Sequence, residues 1–179
     1  MDLLNMISSQ LSDPKVLEQL GKNAGAQPKQ AQKLTQSALP LLLSALQQNA
    51  STPEGAKSLE KALEQHKDDQ VGDLQKFFQN VDTNDGSKIL QHIFSGKNEA
   101  VQANLAQKAG LDKTQVADLL TQLAPLVLGV LGNQKKEQGS QGDVMSLLGG
   151  VMGMLGNQQG KQGDTANILG SLLTKFLKK

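Results

Sequence analysis

Apolar residues recur every three to four positions along most of the chain, and no stretch alternates apolar and polar residues over the length of a strand. This spacing is the period of an amphipathic helix. Helix-start patterns accompany it: Asp13 directly precedes Pro14, and Asp112 is followed three residues later by Gln115. The sequence therefore predicts an all-α fold.

Two stretches share the same pattern at a constant offset of 85 residues. Residues 16–46 align with residues 101–131 without a gap, and the identical pairs include glycine and proline. These pairs are Val16/Val101, Leu20/Leu105, Ala24/Ala109, Gly25/Gly110, Gln30/Gln115, Leu34/Leu119, Pro40/Pro125, Leu41/Leu126, Leu43/Leu128 and Leu46/Leu131. The match predicts a duplicated helical core over residues 1–131, with units at about 1–50 and 86–131 and a connector at 51–85.

Both long predicted helices carry a proline at the equivalent point, Pro40 and Pro125. A proline inside a helix removes one backbone hydrogen bond and costs about 3 kcal/mol. Its presence in both units predicts a kink or a break that the fold uses. Residues 41–43 and 126–128 are apolar on most sides and should be buried. We expect the two proline-kinked helices to pack side by side about a pseudo-two-fold axis, as a helical bundle.

The composition changes after residue 131. Residues 132–142 are polar and rich in glycine, which predicts a flexible linker, and residues 143–179 carry two apolar stripes among further glycines. Because glycine costs about 1 kcal/mol in a helix interior, these amphipathic helices should form only on contact with the core, another copy, a partner protein or a membrane. Their apolar residues form the candidate interaction surface: Leu147, Leu148, Val151, Met152, Leu155, Ile168, Leu169, Leu172, Leu173 and Phe176.

Composition limits the chemistry. All 18 basic residues are lysines and the chain has no cysteine, which excludes guanidinium clamps, thiolate nucleophiles and cysteine-ligated metals. His66 and His92 lie far apart on separate predicted helices, without ligand-spaced partners. The sequence thus predicts no enzymatic activity, cofactor, metal or small-molecule substrate. It favours a non-enzymatic protein–protein interaction or self-assembly module, with a partner protein or a second copy of the chain.

DNA binding is one alternative. The spacing around Gly110 fits a helix-turn-helix, in which Lys113 and Gln115 would face the bases. Against it, residues 1–131 carry 12 lysines and 14 acidic residues. Phosphate neutralisation dominates DNA affinity, so this charge makes nucleic-acid binding the weaker interpretation.

Peripheral membrane binding is the other alternative. The C-terminal segment combines apolar stripes with a lysine cluster at 175–179, a composition that favours anionic lipid surfaces. The N-terminus has no basic leader, and no uninterrupted apolar run approaches the roughly 20 residues that cross a bilayer. We therefore expect a cytoplasmic protein.

Four stretches resemble the bacterial YidB-like family, domain of unknown function 937. They are residues 85–94, the corner at Ala109-Gly110, the Leu-Ala-Pro-Leu of residues 123–126, and the Gly- and Leu-rich tail. The resemblance extends over nearly the whole chain. It implies a small all-helical bacterial protein without an assigned activity, and it supplies no catalytic residues.

Overall fold

The computed structural model describes residues 9–139 and 143–159, and within these ranges it contains eight α-helices and no strand. The helices are α1 (Pro14–Ala24), α2 (Pro28–Ala50), α3 (Pro53–His66), α4 (Leu74–Asn80), α5 (Thr83–Phe94), α6 (Asn98–Ala109), α7 (Lys113–Gln138) and α8 (Val144–Gln159). The predicted all-α fold is confirmed.

The helices begin at the capping residues that the sequence indicates. The Asp13 side chain accepts a 2.8 Å hydrogen bond from the Lys15 amide, and Pro14 takes the first position of α1. At the start of α7, the Gln115 amide donates to Asp112 Oδ1 (2.8 Å) and the Asp112 amide donates to Gln115 Oε1 (3.2 Å). Such bonds satisfy backbone amides that a helix leaves without partners.

The central element of the fold is α7. Every residue from Leu119 to Gly132 except Thr121 is buried, and helices α1, α2, α3, α5, α6 and α8 all pack against it. In the described part of the chain, the segment Lys113–Glu137 is long and apolar enough to span a membrane by length and composition. The segment is not one uninterrupted apolar run, because charged residues such as Asp118 interrupt it, so its length and average composition alone pass the test. Since 78% of its most apolar window is buried inside the protein, it serves here as the core helix.

The turn between α1 and α2 and the turn between α6 and α7 occupy equivalent positions in the predicted units. A reciprocal pair of hydrogen bonds joins them. Gln30 Nε2 donates to the Gly110 carbonyl (2.7 Å), and Gln115 Nε2 donates to the Gly25 carbonyl (2.6 Å). Both glycines end the preceding helix at positive φ, 64° and 68°, where a side chain would be strained. Helices α2 and α7 also pack on each other. The duplication itself remains a prediction, and this exchange between equivalent residues supports it.

Neither proline breaks its helix: Pro40 and Pro125 both lie inside continuous helices. Pro125 leaves the carbonyl of Thr121, four residues earlier, without its helical hydrogen bond. Gly86 of α5 packs on that carbonyl so closely that a Cβ at Gly86 would lie 1.8 Å from the Thr121 oxygen. Only glycine fits here, and its α-hydrogen can act as a weak donor to the oxygen.

The residues after the two prolines differ in burial. Leu126, Val127 and Leu128 are buried as expected, but Leu41 is 37% exposed. The prediction for Leu41 is therefore wrong. The loop 67–73 covers the equivalent face of α7, and no described residues cover the face of α2 in the same way.

Residues 132–138, the first part of the predicted linker, lie in α7, which continues to Gln138. Gly132 is buried against α3, where an added Cβ would lie 2.6 Å from the Leu63 carbonyl oxygen. Asn133 Nδ2 donates to the Asp69 carbonyl oxygen at 3.1 Å. Gly132 and Asn133 therefore make close tertiary contacts here, although their residue types are also typical of a linker.

We expect Gly86→Ala to lower the free energy of unfolding by about 3 kcal/mol, because the new methyl group overlaps the Thr121 carbonyl. Urea unfolding followed by far-UV circular dichroism measures this change. The neighbouring exposed Ser87→Ala is the control and should stay within about 0.5 kcal/mol of wild type. A Gly86→Ala protein as stable as wild type would show that α5 and α7 are not in this close contact.

Candidate functional site

A slot of about 710 Å³ separates α3 from α5 on the surface of α7; we call it the α3–α5 slot. Apolar side chains line its interior: Leu46, Leu59, Ala62, Ile89, Ile93 and Leu128. Polar and charged side chains border it: Glu54, Ser58, Lys61, Asp85, Lys88 and His92. The combination of an apolar interior and a polar border resembles the anatomy of a protein-binding surface.

One end of the slot is closed by His66, the last residue of α3. Its Nδ1 shares a 2.7 Å hydrogen bond with Asp69 Oδ2, and its Nε2 lies 3.2 Å from Asp85 Oδ2 at the start of α5. The His66 side chain is only 14% exposed. The imidazole ring therefore joins the end of α3 to the first turn of α5.

The other end is closed by Asn49 near the end of α2. Its Nδ2 donates to the Ile93 carbonyl oxygen at 2.8 Å and lies 3.4 Å from the His92 carbonyl oxygen. Because the end of α3 meets the start of α5 while the start of α3 adjoins the end of α5, the two helices are antiparallel. Polar contacts thus join α3 to α5 at one end of the slot and α2 to α5 at the other.

Ion pairs tie the last turns of α7 to α3 and to the loop that follows it. Lys136 Nζ lies 2.5 Å from Asp68 Oδ1, and Lys135 Nζ lies 3.9 Å from Glu60 Oε1. The hydrogen bond from Lys136 lowers the pKa of the Asp68 carboxyl. This contact is therefore present above the usual pKa of aspartate and is lost as the pH falls through the lowered value. Both groups are exposed, so the pair positions the loop more than it stabilises the fold.

Three residues of the predicted interaction surface lie against the chain's own core. Leu147, Leu148 and Val151 on α8 are buried, and Met152 packs on the same core at its edge. Helix α8 contacts α2, α7 and α3. Leu155 and the second stripe (Ile168, Leu169, Leu172, Leu173 and Phe176) lie outside the side chains that the structure describes. Docking on the core was among the expected environments, and binding of a partner by these residues remains a prediction.

The candidate DNA-contacting residues are placed unfavourably for that role. Lys113 is exposed, but Gln115 uses its Nε2 on Gly25 and its Oε1 on Asp112. The helix that would enter the major groove is α7, which is buried from Leu119 to Gly132 except at Thr121. DNA contact through Gln115 would require breaking the corner hydrogen bonds.

Sequence spacing alone did not indicate the α3–α5 slot. The two walls lie in the connector and in the second unit. His66 was expected to have no ligand-spaced partner, but Asp69 follows three residues later, and this spacing was the sequence signal that could have indicated the contact. His92 is exposed on α5. Within residues 9–139 and 143–159, no group of three or more acidic, histidine or cysteine side chains is arranged to hold a metal ion.

Comparison with known families identifies one match: residues 5–134 fit the model described as a bacterial protein of unknown function, DUF937. The resemblance drawn from the sequence motifs is therefore confirmed. The match ends before α8, so the tail contributes nothing to it, contrary to the expectation that the resemblance spans nearly the whole chain. No curated protein and no solved structure matches the chain.

Replacing His66 by alanine should lower the free energy of unfolding by about 1–3 kcal/mol, because the Asp69 and Asp85 carboxylates lose their shared partner. His92→Ala is the matched control on an exposed site, with an expected change within about 0.5 kcal/mol. Chemical denaturation of both variants provides the comparison. Equal stabilities would show that His66 does not tie the two helices together.

Proposed function

Because the chain belongs to a bacterial family, DUF937, that is described as of unknown function, we propose its function from the geometry: a non-enzymatic protein-binding module. The α3–α5 slot accepts an amphipathic helix of a partner protein. The single observation that carries this proposal is the apolar interior of the slot between two charged helical walls.

The dimensions of the slot support a helical ligand. The walls are helices of 14 and 12 residues, which corresponds to about 18–21 Å at 1.5 Å per residue. A ligand helix of about three turns lies along such a length. It would insert apolar side chains at positions i, i+3 or i+4, and i+7, the usual arrangement of a helix in a groove.

The charges on the walls support a partner of mixed charge. Each wall carries one acidic and one basic group at the border: Glu54 and Lys61 on α3, and Asp85 and Lys88 on α5. Such borders contribute more to the orientation of a ligand than to affinity. We therefore expect affinity to come from apolar side chains of the ligand over Ala62 and Ile89, the partly exposed apolar residues of the slot, and orientation to come from the border charges.

Ser58 offers a direct test, because it lines the slot, whereas Ser87 is an equally exposed serine on α5 outside the slot. A photo-crosslinking amino acid at position 58, activated in the native host, should join the protein to a segment of a partner. The same amino acid at position 87 should not. Mass spectrometry of the crosslinked product identifies the segment.

A synthetic peptide of that segment then provides the quantitative measurement. Wild type and Ser87→Trp should bind the peptide equally, whereas Ser58→Trp fills the slot and should weaken binding about tenfold or more, the equivalent of 1.4 kcal/mol. The bound peptide should show helical circular dichroism. Equal binding by both tryptophan variants, or a peptide that stays non-helical when bound, would contradict the proposal.

A further inference from the structure

A second groove, of about 360 Å³, lies on α2 beside the end of α5 and the start of α6. We call it the Leu41 groove, after the 37% exposed leucine on its wall. It is lined on α2 by Leu41, Ser44, Ala45 and Gln48, and on the other side by Phe94, Lys97 and Val101. Gln48 forms no side-chain hydrogen bond within the described part of the chain.

The 85-residue offset relates this groove to a covered face of α7. The counterparts of Leu41, Ser44 and Gln48 are Leu126, Gly129 and Asn133. On α7 the loop 67–73 covers this face. A Cβ at Gly129 would lie 2.8 Å from Val71 Cγ1, and Asn133 Nδ2 donates to the Asp69 carbonyl oxygen at 3.1 Å. Leu126 beneath is 1% exposed. The Leu41 groove is therefore the uncovered counterpart of a covered site.

The order of the chain indicates what would cover the groove. Helix α3 follows α2 and packs on both α2 and α7, and helix α8 follows α7 and packs on the same two helices. The loop that covers α7 comes directly after α3. The segment in the corresponding place after α8 is residues 160–169.

The sequence of that segment shares a short pattern with the covering loop. Asp73 lies 20 residues after Pro53, the first residue of α3, and Asp164 lies 20 residues after Val144, the first residue of α8. A glycine precedes each aspartate, and Phe77-Phe78 corresponds to Ile168-Leu169 at the same spacing. Asp73 is the N-cap of α4, so the aspartate of this pattern starts a helix at the end of the covering loop.

From these relations we propose that residues 160–169 cover the Leu41 groove of the same chain, as the loop 67–73 and the start of α4 cover α7. The backbone of the segment would accept a hydrogen bond from the Gln48 amide, as Asp69 does from Asn133. Ser44 has a Cβ where Gly129 has none, and Gly160 and Gly163 supply the space that this requires. The inference is independent of the proposed function, since it concerns a different groove and an occupant from the same chain.

Disulfide trapping tests this contact, and the absence of native cysteine makes an introduced pair unambiguous. Ser44→Cys combined with Gln162→Cys places the two thiols at the positions equivalent to Gly129 and Val71, where an added Cβ at Gly129 would lie 2.8 Å from Val71 Cγ1. A disulfide needs two Cβ atoms about 4 Å apart. The matched control combines Gln162→Cys with Gln79→Cys, an exposed position on α4 outside the groove. Oxidation is followed on non-reducing gels with the full-length protein.

We expect the Ser44 pair to form an intramolecular disulfide about tenfold or more faster than the Gln79 pair, because docking raises the local concentration of the two thiols. Adding Leu41→Glu to the Ser44 pair should remove most of that advantage. Equal rates for the two pairs, a covalent dimer as the main product, or an unchanged rate with Leu41→Glu would overturn the proposal. Circular dichroism of each variant confirms that the helical content is retained.

Discussion

Burial of the apolar run of α7 determines the arrangement of the rest of the protein. A helix that is apolar on nearly every side must be enclosed. Within the described part of the chain, six helices pack against α7. The most specific of these contacts joins Gly86 to the carbonyl that Pro125 leaves free. The proline and the glycine are thus two halves of one contact between α5 and α7.

Helix-capping and turn preferences predicted correctly those features of the fold that neighbouring residues alone determine. The capping residues Asp13 and Asp112 and the corner glycines have effects that act within one turn of the backbone, so their positions followed from sequence. Predictions failed where tertiary contacts give ordinary residues a different role. Gly132 and Asn133 have the composition of a linker but pack tightly on α3 and its loop. Leu41 has the composition of a core residue but lacks the cover that Leu126 has.

The candidate site was hidden from sequence for the same reason. One wall of the α3–α5 slot comes from the predicted connector and the other from the second predicted unit. The contacts at its ends join His66 to Asp85 and Asn49 to Ile93, residues that are far apart in the sequence. Both the slot and the Leu41 groove result from how α2 and α7 are covered. The slot is the space between two covering helices, and the groove is a face of α2 that no described residues cover in the way that loop 67–73 covers α7. We propose a partner helix for the first surface and a segment of the same chain for the second.

Native-state hydrogen exchange of the α7 amides tests the central claim most directly. If α7 is the enclosed centre of the fold, the amides from Leu119 to Leu131 can exchange only when the whole protein unfolds. Their exchange free energies should then be uniform and equal to the global free energy of unfolding measured with denaturant. Exchange of these amides at clearly lower free energy than those of α1 or α6 would show that α7 opens independently, and would contradict the account.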